Sequence, residues 1–201
     1  MTGRSLDSAA RVEIDDADAL HRWLDAHGDQ DTGIWVVTWK KGADPERLVS
    51  AAEVGKAALA HGWIDSLPRK LDAARSMLYI APRRPGSNWS RVNKERIAEL
   101  RAEDRMRPEG EAAVTRAMKD GSWSALDDVE NLVVPDDLAR ALGPAGRATW
   151  EAFPRSVRRG ALEQLQTAKS EETRARRVAT IVEAAAKGER PFQWRGPKNR
   201  R

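Results

Sequence analysis

The chain contains no cysteine, and its 201 residues include only three histidines, one tyrosine and two phenylalanines. Without cysteine there can be no disulfide, no cysteine-ligated zinc and no thiol nucleophile. The three histidines, His21, His27 and His61, are not spaced like metal ligands, so we predict no metal site. The nucleotide-binding patterns GxxxxGK[ST] and GxGxxG are also missing, and we expect no cofactor.

Long apolar runs are missing too. No window approaches the roughly 18 consecutive apolar residues of a membrane helix. The opening segment MTGRSLDSAARVEIDD has no apolar core of the kind that a secretion signal needs. A hydrophobic content of 40% with 33% charged residues is typical of a globular protein. We therefore expect neither a membrane span nor secretion.

Tryptophan and positive charge are what the chain has in excess. There are eight tryptophans, and a buried tryptophan needs a partner for its N–H, which makes this residue common in polar-edged cores and in ligand pockets. The formal net charge is +4, and the terminal segment RGPKNRR contains no acid. A basic tail can attract nucleic acid or anionic lipid, although such a tail is more often only solvated.

The apolar pattern of the first half predicts helices around a small sheet. Asp16 can cap a first helix, and Ser50 with Glu53 has the spacing of a capping box. Three stretches are typical of strands: GIWVVTWKK, WIDSL and SMLYIAP. The first is largely apolar on both faces, so we expect it to be central in the sheet. Ser90 can cap the helix that follows the third strand.

The second half is predicted to be all helical. Pro108 suits the first turn of a helix that ends at Gly121, Pro135 starts a short helix that ends near Gly143, and Ser170 caps a long last helix. The prediction is an α+β fold, with a three-stranded sheet and helices in the N-terminal half and an all-helical C-terminal half packed on it. The predicted parts are a flexible N-terminus over 1–15, the sheet-containing half over 16–106, the helical half over 107–190 and a basic tail over 191–201.

The segment APRRPGSNWSRVN is a candidate anion site. Arg83 and Arg84 follow a strand, and arginine recognises carboxylate or phosphate through paired N–H groups. The backbone N–H groups at the next helix start attract anions, and Trp89 offers a flat face to a ring or a cation. The alternative is a capped helix start whose arginines pair with the protein's own carboxylates. The candidate ligand residues here are Arg83, Arg84, Ser87, Trp89, Ser90 and Asn93.

The segment AKSEETRARR is a second candidate. If a helix begins near Ser170, then Lys169, Thr173 and Arg177 share one face. Arg174 lies on the core-facing edge, where an arginine pairs with a carboxylate or an anionic ligand because burying it unpaired is costly. The alternative is a solvated helix face, which suits Arg174 less well than its neighbours.

The segment HGWIDS is a candidate for catalysis. His61 and Asp65 could move a proton if they lay close together, and Trp63 would line a ligand pocket beside them. The alternative is that His61 ends a helix and Asp65 makes a structural hydrogen bond. No nucleophile–base pair with recognisable spacing accompanies them.

A family resemblance rests on six ordered segments: GIWVVTWKK, ALAHGWIDS, APRRPGSNWSRVNKERIAEL, RMRPEGEAAVTRAMKDGSW, VPDDLARAL and AKSEETRARRVATIVE. From about Asp16 to Pro191 the chain resembles the YdeI/OmpD-associated family, also labelled bacteriocin-protection proteins. The family pattern usually reads A-L-C-[FY]-G-W-I-D, whereas here Ala60 replaces the cysteine and His61 the aromatic residue. The resemblance implies a bacterial, cytoplasmic, mixed α/β protein linked to envelope stress and to protection against antimicrobial peptides, with no established reaction.

Three functional hypotheses remain open. In the first, a pocket between the sheet and the helical half binds a small anionic or aromatic molecule or a peptide, lined by Trp63 and the two arginine segments. In the second, the protein is an enzyme in which His61 or Asp65 moves a proton and the arginines stabilise negative charge. In the third, the basic C-terminus binds nucleic acid, although no recognisable nucleic-acid-binding module accompanies it. The sequence carries no prediction of the oligomeric state.

Overall fold

The computed structural model describes residues 6–192. The chain divides into two compact units, Met1–Trp123 and Ser124–Arg201. The first unit contains the sheet, and the second is helical. The predicted basic tail, 191–201, lies outside the described residues from position 193 onward. Within the described part of the chain, no helix is long and apolar enough to cross a membrane.

The N-terminal unit has a four-stranded mixed sheet, so the prediction of three strands was wrong. The strand order is β1-β2-β4-β3, with β1 parallel to β2 and the other pairs antiparallel. The missed strand, β1, has only three residues, too few to show an alternating pattern, and it lies in the stretch predicted to be a flexible N-terminus. The elements are β1 (Arg11–Glu13), α1 (Ala17–Ala26), β2 (Ile34–Trp39), α2 (Ala51–Ala60), β3 (Trp63–Lys70), β4 (Arg75–Pro82), α3 (Arg91–Ala102) and α4 (Pro108–Asp120).

The central position of β2 is confirmed, since β2 lies between β1 and β4. Ile34 and Val36 are buried on one face in a core that also receives Leu20 and Leu24 from α1. Trp35 and Val37 are buried on the other face. A strand that is apolar on both faces is stabilised only where both faces are covered, which is why the sequence pattern indicated a central strand.

Helix α4 is fixed against the end of α2 by a glycine contact. A Cβ atom at Gly110 would collide with the carbonyl oxygen of Ala60, so only glycine allows this close approach. The Ala60 carbonyl also accepts a 3.0 Å hydrogen bond from the Arg107 backbone N–H. Helix α4 was predicted to belong to the helical half, whereas it packs within the N-terminal unit. This docking brings the end of α4 beside the loop after β4, since residues of both line one cavity.

The C-terminal unit contains the helices α5 (Asp127–Glu130), α6 (Asp136–Ala152), α7 (Arg155–Gln166) and α8 (Glu171–Ala186). Helix α6 is interrupted at Gly143, which has a φ of 60° and a ψ of −177° and is followed by Pro144. Non-helical backbone at Gly143 divides α6 into two helical segments, so the predicted end of a short helix near Gly143 is confirmed. The core of the unit is formed by apolar residues of all four helices, among them Leu138, Trp150, Leu162 and Ile181.

Candidate functional site

Arg83 is a buried arginine at the point where β4 ends. Its backbone N–H donates to the carbonyl of Gly62 at 3.0 Å, which continues the pairing beyond the strand. Its side chain is only 8% exposed, and its guanidinium carbon lies 3.7 Å from the centre of the Trp89 ring. Nη2 donates to the carbonyl oxygen of Asn88. Trp89 is itself 1% exposed, so it is a rigid platform beneath the cation.

Two nitrogens of Arg83, Nε and Nη1, have no hydrogen-bond partner among residues 6–192. We call them the open nitrogens. Burial lowers the pKa of Arg83 to about 10, while the negative charge of Asp65 acts in the opposite direction. The guanidinium therefore still carries its charge at neutral pH. A buried donor without an acceptor costs about 1–3 kcal/mol, and more when the group is charged.

Arg83 lines a small cavity between the loop after β4 and the end of α4. The cavity has a volume of about 10 Å³, which is close to the space that one water or one ligand oxygen occupies. We call it the Arg83 cavity. Its lining residues are Arg83, Arg84, Pro85, Gly86, Ser87, Trp89, Ala113, Arg116, Ala117, Asp120 and Ser122.

Positive charge predominates around the Arg83 cavity. Arg84 and Arg116 add two exposed guanidinium groups, against the single carboxylate of Asp120. Asp120 accepts hydrogen bonds from the backbone N–H groups of Gly86 at 3.1 Å and Ser122 at 2.9 Å. The side chain of Ser122 is the main cause of the lowered pKa of Asp120, although its hydroxyl makes no hydrogen bond of good geometry within the described chain. Asp120 therefore orders the loop and leaves the open nitrogens without a counterion.

Four other residues of this unit were predicted to bind a ligand, and only one of them lines the Arg83 cavity. Ser87 lines the cavity, but its hydroxyl donates to the Arg84 carbonyl at 2.6 Å. Ser90 caps α3 by accepting from the Asn93 backbone N–H at 3.3 Å, as the sequence predicts. Trp63 is 2% exposed in the sheet core. Ser90, Asn93 and Trp63 are not lining residues of the Arg83 cavity, and their roles in ligand binding stay predictions.

The predicted residues of the second segment belong to the C-terminal unit. Arg174 binds Asp137 in a bidentate manner, with Nε–Oδ2 at 2.6 Å and Nη2–Oδ1 at 3.0 Å, and it is the main cause of the lowered pKa of that carboxyl. Arg177 donates to the Gln164 carbonyl. Thr173 donates its backbone N–H to the capping Ser170.

Lys169 is exposed, in the turn before α8. The pairing of Arg174 with the protein's own carboxylate is one of the two alternatives that the sequence left open. A single pocket formed by Arg83 and Arg174 together stays a prediction, because the two residues belong to different units.

His61, the first candidate for catalysis, is paired with a histidine that the sequence pattern did not single out. His61 Nε2 lies 3.0 Å from His21 Nδ1, and His21 Nε2 lies 3.2 Å from Arg105 Nη2. Arginine can only donate, so His21 accepts at Nε2, carries its proton on Nδ1 and donates to His61. The Nδ1 of His61 then carries a proton 3.6 Å from Asp25 Oδ1.

Both imidazoles of the pair favour the neutral form. Burial lowers the pKa of His61 to about 4, against the opposing effect of Asp25. Burial, followed by the charges of Arg105 and Arg107, lowers the pKa of His21. Among residues 6–192 no hydrogen bond or ion pair joins His61 to Asp65, so the predicted acid–base pair is replaced by a histidine pair. A role for either residue in catalysis stays a prediction.

Sequence reasoning missed Arg116, Asp120 and Ser122 at the cavity and His21 at the histidine pair. The first three reach the Arg83 loop only because α4 docks on α2, which no local pattern indicates. His21 had one available signal, since a histidine at position 61, where the resembled family has an aromatic residue, needs a polar partner when buried. Within the described residues, no group of three acidic or histidine side chains could hold a metal ion.

The two units match different family models. Residues 12–113, half of the chain, match the family model described as a domain of unknown function (DUF8412). Residues 131–188 match the model described as bacteriocin-protection, YdeI or OmpD-associated. The second match confirms the resemblance noted in the sequence, within this narrower range. No curated protein and no solved structure matches the chain.

Proposed function

The chain belongs to the DUF8412 family, whose model covers half of it, and on this premise we propose that its N-terminal unit binds a small anionic ligand at Arg83. The observation that carries the proposal is the buried, charged Arg83, which has two open nitrogens and lines a cavity that Arg84 and Arg116 also line. A protein that buries a cation normally supplies a carboxylate for it. Within the described chain, Arg83 has only the Asn88 carbonyl and the Trp89 ring.

The nearby carboxylates do not fill this role. Asp65 influences the pKa of Arg83 through its charge, but no hydrogen bond or ion pair joins the two residues within the described chain. Asp120 is occupied by the Gly86 and Ser122 backbone N–H groups. An anion that presents an oxygen to one of the open nitrogens would satisfy that donor and neutralise the buried charge, which makes the site selective for an anion over a neutral ligand.

The volume of the cavity limits what enters it. About 10 Å³ admits one oxygen atom, not a whole metabolite. The ligand therefore presents one carboxylate or phosphate oxygen to Arg83, and its remaining oxygens face the exposed guanidinium groups of Arg84 and Arg116. Trp89 lies under Arg83 and is almost fully buried, so it holds the guanidinium in place and does not stack on a ligand ring. The proposed ligand class is thus anionic, without a requirement for an aromatic group.

The cellular setting is also part of the proposal. We place the protein in the cytoplasm and connect its ligand binding with the bacteriocin protection named in the description of the family that residues 131–188 match. Cell fractionation with an antibody to the protein, and survival of a deletion strain under a bacteriocin challenge, would test these two points separately from ligand binding.

Isothermal titration calorimetry of the full chain tests the binding itself. Suitable probes are acetate, succinate, inorganic phosphate and phenyl phosphate, each in a buffer without competing anions. An Arg83→Met variant keeps an unbranched side chain over Trp89 and removes the donors, and we expect it to bind the best probe at least about tenfold more weakly, the equivalent of one lost charged hydrogen bond. Lys119→Met is the matched control, since Lys119 is exposed on α4 and does not line the cavity.

Two outcomes would contradict the proposal. One is that none of the four probes binds the wild-type protein. The other is that Arg83→Met and Lys119→Met bind the best probe with equal affinity while both variants remain folded by circular dichroism. Replacement of Arg84 or Arg116 by alanine should have a smaller effect that fades with added salt, because their side chains are exposed.

A further inference from the structure

The C-terminal unit has a second, much larger site that is independent of Arg83. A groove of about 750 Å³ follows the face between α6 and α8. Its lining residues are Asp137, Ala141, Glu171, Arg174, Ala175, Val178, Ala179, Val182 and Glu183. All of these residues lie within 131–188, the range of the bacteriocin-protection match. The ion pair between Arg174 and Asp137 involves only two of the nine lining residues.

The floor of the groove is apolar and made of small side chains. Ala175 and Ala179 are exposed on α8, and Ala141 is exposed on α6. Val178 and Val182 connect this floor to the core of the unit. Ala175 and Ala179, four residues apart, leave the backbone of α8 accessible, so another helix can approach to the short interaxial distances of close helix packing, about 8–10 Å.

The edges of the groove carry net negative charge. Three carboxylates line it, those of Asp137, Glu171 and Glu183, against one guanidinium, that of Arg174. Glu183 also pairs with Lys187 at 2.6 Å, but this i,i+4 ion pair is exposed and contributes little stability. Arg174 is held by Asp137, so it does not offer its charge to an incoming group. Glu171 and Glu183 stand at opposite ends of the stretch of α8 that lines the groove. Twelve residues of helix separate them, which corresponds to roughly 18 Å.

We propose that this groove binds a cationic amphipathic helix of a partner peptide or protein. The apolar face of that helix packs on the alanine and valine floor, as in other helix-in-groove complexes. A lysine or arginine side chain near one end pairs with Glu171, and one near the other end replaces Lys187 in its exposed pair with Glu183. The length of the groove fits a helical segment of about three turns. Because the groove carries net negative charge, we expect it to bind a cationic helix more tightly than an anionic helix with the same apolar pattern.

Fluorescence anisotropy with three labelled peptides and the full chain tests the proposal. The first peptide is a three-to-four-turn amphipathic helix with leucine on one face and lysine on the other. The second carries glutamate in place of every lysine, and the third has the composition of the first in an order that destroys the apolar face. We expect the first peptide to bind at least about tenfold more tightly than either of the others at low salt, and to lose affinity as salt is added.

Variants of α8 locate the binding surface. Ala179→Arg puts bulk and positive charge on the floor, and we expect it to weaken binding of the lysine peptide at least about tenfold. Ala186→Arg is its matched control, exposed on the same helix and outside the groove. Glu171→Lys should weaken binding about threefold to tenfold, whereas Glu172→Lys, which changes the same charge on a neighbouring exposed residue, should have a clearly smaller effect.

Three outcomes would overturn the proposal. Equal affinity for the lysine and glutamate peptides would show that the charges do not select the partner. Unchanged binding in Ala179→Arg would place the contact elsewhere. Binding that appears only after deletion of residues 193–201 would show that the chain's own basic tail occupies the groove.

Discussion

The histidine pair makes a specific prediction about how stability depends on pH. The pKa of His61 is lowered to about 4 from an ordinary value of 6.5, and that of His21 is lowered too, mainly because both rings are buried. Between pH 4 and pH 6.5, His61 binds a proton in the unfolded chain but is largely unprotonated in the folded one. The contribution of His61 to stability is therefore complete above about pH 6.5 and is lost as the pH falls towards 4.

The magnitude follows from the size of the pKa change. A lowering from 6.5 to about 4 corresponds to at most ~3 kcal/mol. At pH 5, which is still above the lowered pKa of His61, about 2 kcal/mol of this is lost. Carboxylates whose pKa values are lowered by ion pairing, such as Asp72 and Asp137, lose their contribution only below their ordinary range. The interval from pH 6.5 to 5 therefore reports mainly on the histidines.

Urea unfolding of the wild type and of a His61→Phe variant at pH 7.5, 6.5, 5.5 and 5.0 measures this effect. Phenylalanine keeps an aromatic ring at this position, but it leaves the Nδ1–H of His21 without its acceptor. We expect His61→Phe to lose about 1–3 kcal/mol at pH 7.5 and to show a much shallower decline at lower pH.

His27→Gln is the control for this experiment, since His27 is exposed and should leave the pH dependence intact. Two results would refute the reasoning. The first is a wild-type stability that stays constant between pH 7.5 and 5.0. The second is a decline in His61→Phe as steep as that of the wild type.

Two further variants test the packing inside each unit, one variant for each. Gly110→Ala should destabilise the N-terminal unit by about 1–3 kcal/mol, because its Cβ collides with the Ala60 carbonyl; Gly42→Ala, with no atom near the new Cβ, should be tolerated, and thermal unfolding compares the two. Arg159→Ala should destabilise the C-terminal unit by about 3 kcal/mol in urea unfolding, since it removes the 2.9 Å ion pair to Glu130, whose side chain is only 11% exposed.

Each of these predictions has a result that would contradict it. Equal melting temperatures for Gly110→Ala and Gly42→Ala would mean that α4 can move away from α2 at little cost. Arg147→Ala removes an exposed i,i+4 pair and should change stability by less than about 0.5 kcal/mol. A loss in Arg159→Ala no larger than in Arg147→Ala would show that Glu130 is stabilised by other groups.

Local signals were sufficient for most elements of the fold. The caps at Asp16, Ser50, Ser90 and Ser170 are confirmed in the structure, because a capping side chain and the N–H that it binds are only three residues apart. The strand β1 and the short helix α5 were not predicted. β1 forms only by pairing with β2, and α5 has just four residues, so neither element has a local pattern of its own.

The candidate site was predictable only in part, for the same physical reason. The polar loop that contains Arg83 stands out between apolar elements, so its residues could be chosen from the sequence. Its partners could not, since Arg116 and Asp120 arrive through the contact between Gly110 and Ala60, some fifty residues apart in the chain. The burial of Arg83 and its open nitrogens likewise depend on tertiary packing around Trp89.

The central claim of the proposed function is that an anion binds at Arg83, and the Nε–H group of this residue can be observed directly. A ¹H–¹⁵N NMR spectrum of the arginine Nε–H groups, with the Arg83 signal identified by its loss in Arg83→Met, observes this donor itself. The account predicts that the Arg83 signal moves in a saturable way when the best anionic probe from the calorimetry is added, by more than the signal of the exposed Arg91. An Arg83 signal that stays in place while the probe saturates the protein would contradict the account.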